Sequence, residues 1–199
     1  AEMRPPNSIL MEQSLPVTQY RRQEQQSLPF TLMSAHVQNI DRRHAEACQI
    51  YFESFCIDSS QPLNSLCLAK QLIFLSKHWL VLNRHETFVK AMACAMRYQR
   101  DRLTKFKTEL LEAVDVEMID INEASIKQEI LYNLARLFDE SNLPHLSIGL
   151  YYKVLDLHDQ IPKNKFNLTS EAAYNLMIIF KRSGAKELAL EIMKKHLTF

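Results

Sequence analysis

The chain has 199 residues, 47% of them apolar, with two glycines and a formal net charge of +1. So few glycines leave little material for tight β-turns, no segment alternates with period two for long, and an all-helical protein with a substantial core is expected. The near-neutral charge gives no global pull toward nucleic acid or a membrane surface. With no run of eighteen apolar residues and no signal-peptide pattern, a soluble intracellular protein without membrane contact is expected. Its first residue, Ala1, suggests a piece of a longer protein.

Residues 1–34 carry prolines at 5, 6, 16 and 29 and little periodicity. They read as an extended linker or strap with at most one short helix, near residues 7–15. The remainder, 35–199, reads as one helical array. Its first helix is predicted from Ser34, a suitable N-cap, to about residue 57, with Val37, Ile40, Ala47, Ile50, Tyr51, Ser54 and Phe55 as its stripe. After a turn at 58–62, a second helix covers about 63–82 through Leu66, Leu68, Leu72, Ile73, Leu75 and Trp79. Asn83 suits the cap of a third, from Arg84 to about residue 114, whose stripe is Met92, Met96, Leu103, Phe106 and Leu110. These three helices make a degenerate repeat and a half.

The third helix carries a charge reversal. Arg97, Arg100, Arg102, Lys105 and Lys107 precede Glu109, Glu112, Asp115, Glu117, Asp120 and Glu123. The basic cluster is a candidate for contact with phosphate or an acidic partner. The competing reading, a solvated face whose charges pair locally, is preferred. Residues 101–125 are longer than a repeat connection requires and are expected to hold an insertion.

The last third of the chain repeats itself. Tyr132-Asn133-Leu134 with Phe138 recurs as Tyr174-Asn175-Leu176 with Phe180, 42 positions later. Each copy passes a polar turn into a second amphipathic segment, marked by Ser147, Tyr151 and Val154, then by Ala189, Met193 and His196. Ala135 and Ala189 fall where paired helices approach closely. Gly184 and Asn142 suit a turn position of positive φ, and Pro144 the first turn of a helix. Repeated helix–turn–helix units with small and aromatic residues at fixed places follow the tetratricopeptide pattern, a right-handed solenoid. The period of that repeat is about 34 residues, so a second insertion is expected at about 158–168.

Cys48, Cys56, Cys67 and Cys94 form no recognised metal pair and are expected to be reduced, buried core thiols, with no metal and no cofactor. No glycine-rich phosphate loop, GxSxG or HExxH is present, so nothing points to an enzyme.

Asn83-Arg84-His85, Arg97-Tyr98, Tyr132-Asn133-Leu134, His145-Leu146-Ser147-Ile148, Tyr151-Tyr152, Glu171-Ala172-Ala173-Tyr174-Asn175-Leu176, Ser183-Gly184 and Glu187-Leu188-Ala189 occur in that order. Over about residues 35–199 this resembles the C-terminal repeat region of the tetratricopeptide subunit of RNA polymerase III transcription factor TFIIIC. The resemblance implies a non-catalytic nuclear scaffold that supports assembly with other TFIIIC subunits and recruits TFIIIB at tRNA and related genes. In such repeats the first helix of each pair lines the concave face. Tyr132, Asn133, Arg136, Asp139, Asn175, Ile178, Lys181 and Arg182 are therefore the candidate partner contacts. The two asparagines suit an extended peptide backbone best, and bridging between adjacent helices is their competing role. Asn83, Arg84 and His85 are read as a cap with a buried polar network. The alternative function is a peptide-binding adaptor of the co-chaperone kind, although Tyr132, Arg136 and Ile178 make a poor carboxylate clamp. Direct DNA contact is not favoured, and no small-molecule substrate is expected.

Overall fold

In the computed structural model, the described residues are 28–77, 83–112, 123–161 and 167–197. They form α1 (Leu28–Ile40), α2 (His44–Ile57), α3 (Pro62–Lys77), α4 (Arg84–Glu112), α5 (Glu123–Glu140), α6 (Pro144–Asp156), α7 (Thr169–Arg182) and α8 (Lys186–His196). A 3-10 turn, His158–Gln160, follows α6, and no strand occurs among the described residues. The helices pack as consecutive pairs, α1 on α2, α3 on α4, α5 on α6 and α7 on α8, and each pair packs on the next. This is the stacking of a helical-repeat solenoid, in which each unit finds its apolar partner in its neighbour.

Three of the pairs share one turn. Arg42, Asn142 and Gly184 have φ of 62°, 55° and 83°. At each, the following N–H bonds back to the carbonyl five residues earlier: Arg43 to Gln38 at 2.9 Å, Leu143 to Phe138 at 2.8 Å and Ala185 to Phe180 at 2.9 Å. The left-handed residue itself bonds to the carbonyl three before it, at 3.1, 2.8 and 3.3 Å. This is the Schellman arrangement, which satisfies the last carbonyls of the first helix while reversing the chain. Pro144 stands at the start of α6, as its fixed φ favours.

The turn at Arg42 corrects the sequence reading. One helix was expected over 34–57; the chain instead makes α1 and α2, separated at 41–43. No glycine, asparagine or proline marks the break, and the apolar stripe runs on across it. Residues 28–34, assigned to the strap, are helical, and Thr31 is buried. Two full pairs therefore precede the two clear copies, rather than one and a half. Setting Arg42 against Asn142, 100 positions on, also exposes a third copy. Ala35 matches Ala135, Ala47 matches Ser147, and Tyr51 matches Tyr151, and all six are at most 1% exposed.

The core follows from these matches. Ala135, Ala172 and Ala173 are fully buried at the crossings of α5 to α8, where a larger side chain would hold the helices apart. Leu176 and Val154 are also inaccessible, and Leu134 and Phe138 nearly so. Each such side chain contributes about 1.5–3 kcal/mol relative to leaving it in water. Between α5 and α7, Gln128 is 1% exposed. Its Oε1 accepts the Leu168 N–H at 2.8 Å, and its Nε2 donates to the Val154 carbonyl at 3.2 Å and to Asn167 Oδ1 at 3.0 Å. One amide thus fixes α5 to the end of α6 and the start of α7.

Of the first expected insertion, 101–112 continue α4 and 123–125 open α5, while 113–122 lie outside the described residues. Of the second, Ile161, directly after the 3-10 turn, is buried, and 162–166 lie outside the described residues. So do residues 1–27, with the short helix expected at 7–15, and 78–82, with Trp79. Among the cysteines, Cys48, Cys67 and Cys94 are half-buried, whereas Cys56 is exposed, against the expectation of burial. Burial pushes the Cys48 and Cys67 thiols up to about 11, which keeps them protonated and unreactive.

Candidate partner-binding face

The candidate side chains lie on α5 and α7, the first helices of the last two pairs. The two amides are committed within the array. Asn133 Nδ2 donates to the Tyr98 hydroxyl of α4 at 2.8 Å, and Asn175 Nδ2 donates to the Tyr132 hydroxyl at 3.3 Å. The competing reading of these asparagines, as bridges between helices, therefore describes their geometry. Tyr132 in turn meets the Tyr151 ring edge-on at 6.1 Å. Asn175 also lies beside the Tyr151 hydroxyl, but that buried hydroxyl makes no hydrogen bond of good geometry.

The cationic candidates are the outward-facing ones. Arg136, Lys181 and Arg182 are exposed, and Asp139 and Ile178 are half-buried. Arg136 pairs with Glu140 one turn on, and Lys70 of α3 reaches the same carboxylate. Burial pushes the Glu140 carboxyl up, but the two cations outweigh it and hold it below its ordinary value. Burial raises the Asp139 carboxyl, with the charges of Arg182 and Arg136 pulling the other way. Lys70 and Glu140, which sequence reasoning missed, thus belong to this face. Periodicity marks them only as surface charges, and it takes the packing of α3 on α5 to bring them together. The first half of α7 borders an open hollow of about 340 Å³ lined by Tyr132, Tyr174, Asn175, Glu171, Ser170 and Leu197.

The α4 cluster is largely occupied. Arg97 pairs with Asp101 at 3.1 Å, lies 4.6 Å from the centre of the Phe55 ring and donates to the Ser59 carbonyl. Arg100 pairs with Asp101 at 3.0 Å, and Arg102 holds both oxygens of Glu129 on α5, at 3.0 and 3.3 Å. Lys105 and Lys107 are exposed. Asn83 stands just before α4, its carbonyl accepting the Thr87 N–H at 2.9 Å, while its side-chain amide donates to Glu86 instead of accepting from a backbone N–H. With Arg84 and His85, however, it is exposed, so the buried network expected there is absent from these three residues. Among the described residues no group of three His, Cys, Asp or Glu side chains is placed to hold a metal ion, and no helix is long and apolar enough to cross a membrane.

Paired helices, a small residue at each crossing and one turn used three times define a helical-repeat array of the tetratricopeptide kind. No family model matches the chain. Its sequence is nevertheless similar to three transcription factor subunits. It is 26% identical over 179 residues to transcription factor tau subunit sfc4 of Schizosaccharomyces pombe, covering 84% of this chain and 16% of that protein. General transcription factor 3C polypeptide 3 of Homo sapiens is 26% identical over 147 residues, 72% of this chain and 14% of that protein. The transcription factor tau 131 kDa subunit of Saccharomyces cerevisiae is 29% identical over 137 residues, 69% and 11%. These are TFIIIC subunits, and the resemblance read from the sequence is to the same subunit. The chain spans only about a sixth or less of the relatives it matches.

Proposed function

We propose that this chain is a non-catalytic protein–protein interaction scaffold of a TFIIIC-type complex, acting in the nucleus in RNA polymerase III transcription. Its partners are other TFIIIC subunits, with TFIIIB recruited through the same kind of contact. The similarity to three TFIIIC subunits supports the complex. The observation that carries the mode of action is the division of labour on α5 and α7. Asn133 and Asn175 hold helices together, while Arg136, Lys181 and Arg182 on the same two helices remain exposed. A rigid array offering a charged face suits selective docking, because charge complementarity selects partners and speeds encounter. Contact of the α4 cluster with phosphate is less favoured, since Arg102 is largely buried against Glu129 of α5 and Arg97 is tied to both Asp101 and the Ser59 carbonyl.

The test is capture of separately purified TFIIIC and TFIIIB subunits by the 199-residue chain and by an Arg136→Glu, Arg182→Glu variant checked for unchanged helicity. Capture of one subunit by the parent and its loss in the variant are expected. Equal capture by both would move the contact off this face, and capture of none would remove the scaffold reading.

A further inference from the structure

Among the described residues, nothing covers the outer face of α1. Phe30, Met33, Val37 and Ile40, spaced by three, four and three residues, are 51%, 69%, 52% and 77% exposed. Aligned through the shared turn, Phe30 stands where α5 has Ile130 and α7 has Ala172, which are 2% and 0% exposed. Val37 stands where they have Leu137 and Ile179, at 3% and 5%. Those residues are buried because the preceding pair packs on them. Ile130 and Leu137 share a cluster with Ala69, Ile73, Ala91 and Ala95 of α3 and α4, and Ala172 and Ile179 share one with Tyr151 and Val154 of α6. The stripe on α1 is therefore shaped to receive a helix.

Connection lengths point to the occupant. The link from α6 (ending at Asp156) to α7 (starting at Thr169) is residues 157–168, and the link from α4 to α5 is residues 113–122. Counting back from Leu28 by the longer of these ends the covering segment at Leu15. There the sequence reads Asn7-Ser8-Ile9-Leu10-Met11-Glu12-Gln13-Ser14-Leu15-Pro16, with N-cap residues in front, four apolar side chains and a proline as a stop. We propose that residues 7–15 dock on the Phe30–Val37 stripe, in the place that α6 takes on α7, with 16–27 as the link. The covalent link favours docking by setting an effective concentration on the order of millimolar.

The test uses the whole chain and an Ile9→Asp, Leu10→Asp variant, whose changes lie outside the four helix pairs. Amide hydrogen exchange of α1 is read together with the solution mass. A monomeric parent whose α1 amides exchange about ten-fold or more faster in the variant, with α5 and α7 unchanged, is the expected result. Unchanged α1 exchange with a dimeric parent that Phe30→Asp makes monomeric would show a second copy on the stripe and overturn the proposal. Unchanged exchange in a monomer would overturn it too, leaving the stripe to another protein.

Discussion

The α1–α2 and α5–α6 pairs have the same architecture written in different residues. Both turn through a left-handed residue, both bury a small residue at positions 35 and 135, and both bury a tyrosine, Tyr51 or Tyr151. Yet the turn residue is Arg42 in one and Asn142 in the other, and Phe30 is half exposed where Ile130 is buried. A repeat of this kind is defined by its crossings and its turn. Residues that face solvent, or a neighbour present in only one of the pairs, are free to differ.

Core substitutions should separate the pairs most strongly. Leu176→Ala deletes a fully buried side chain and is expected to cost about 2–5 kcal/mol by urea unfolding. At the matching place on α1 stands half-buried Ser34, where Ser34→Ala should change stability by less than about 0.5 kcal/mol. Equal effects would break the alignment of the pairs.

The turns give the next largest effect, with opposite signs. An L-residue with a β-carbon is strained in the left-handed region by about 1–2 kcal/mol. Arg42→Gly should therefore stabilise by about 1 kcal/mol, and Gly184→Ala should destabilise by a similar amount. Thermal unfolding of both variants checks this, and a loss of stability in Arg42→Gly would contradict the turn at residue 42.

The matched tyrosines sharpen the comparison further. Tyr51 Oη lies 2.6 Å from His36 Nδ1, so Tyr51→Phe should cost about 0.5–1.5 kcal/mol. Tyr151 carries a buried hydroxyl without a partner, so Tyr151→Phe should be neutral or stabilising. Denaturant midpoints of the two variants should move apart.

The smallest effect is in pH dependence, between adjacent carboxylates. Burial raises the Glu140 carboxyl, but Lys70 and Arg136 hold it below its ordinary 4.5. Its contribution is full above that pH and is lost as pH falls through the lower folded value. Asp139, raised above 3.8 by burial, has the opposite sign, favouring the fold while protonated and losing that contribution as pH rises through its folded value. Glu140→Gln should flatten the acid limb of a stability–pH curve, and Asp139→Asn should steepen it.

How much was legible in the sequence follows from where its signals lie. The two C-terminal pairs could be read because Gly184, Asn142 and Pro144 announce their turns and tyrosine–asparagine pairs recur in register. The α1–α2 pair could not, because arginine at positive φ carries no turn signal and the stripe of Val37, Ile40 and Ala47 spans the break. At the candidate face, Arg136, Lys181 and Arg182 are exposed in the structure. The roles of Asn133, Asn175 and Gln128 depend on which helix stands opposite, and that is a property of the stack rather than of any one segment.

The most direct test of the account is calorimetric titration of the subunit captured by this chain against two charge-reversed variants. One changes Arg136 and Arg182 on α5 and α7; the other changes Arg42 and Arg43 at the α1–α2 turn. Affinity lost at least ten-fold in the first and kept in the second is the predicted result. The reverse pattern would place the working surface on the α1–α2 pair and contradict the division of labour described for α5 and α7.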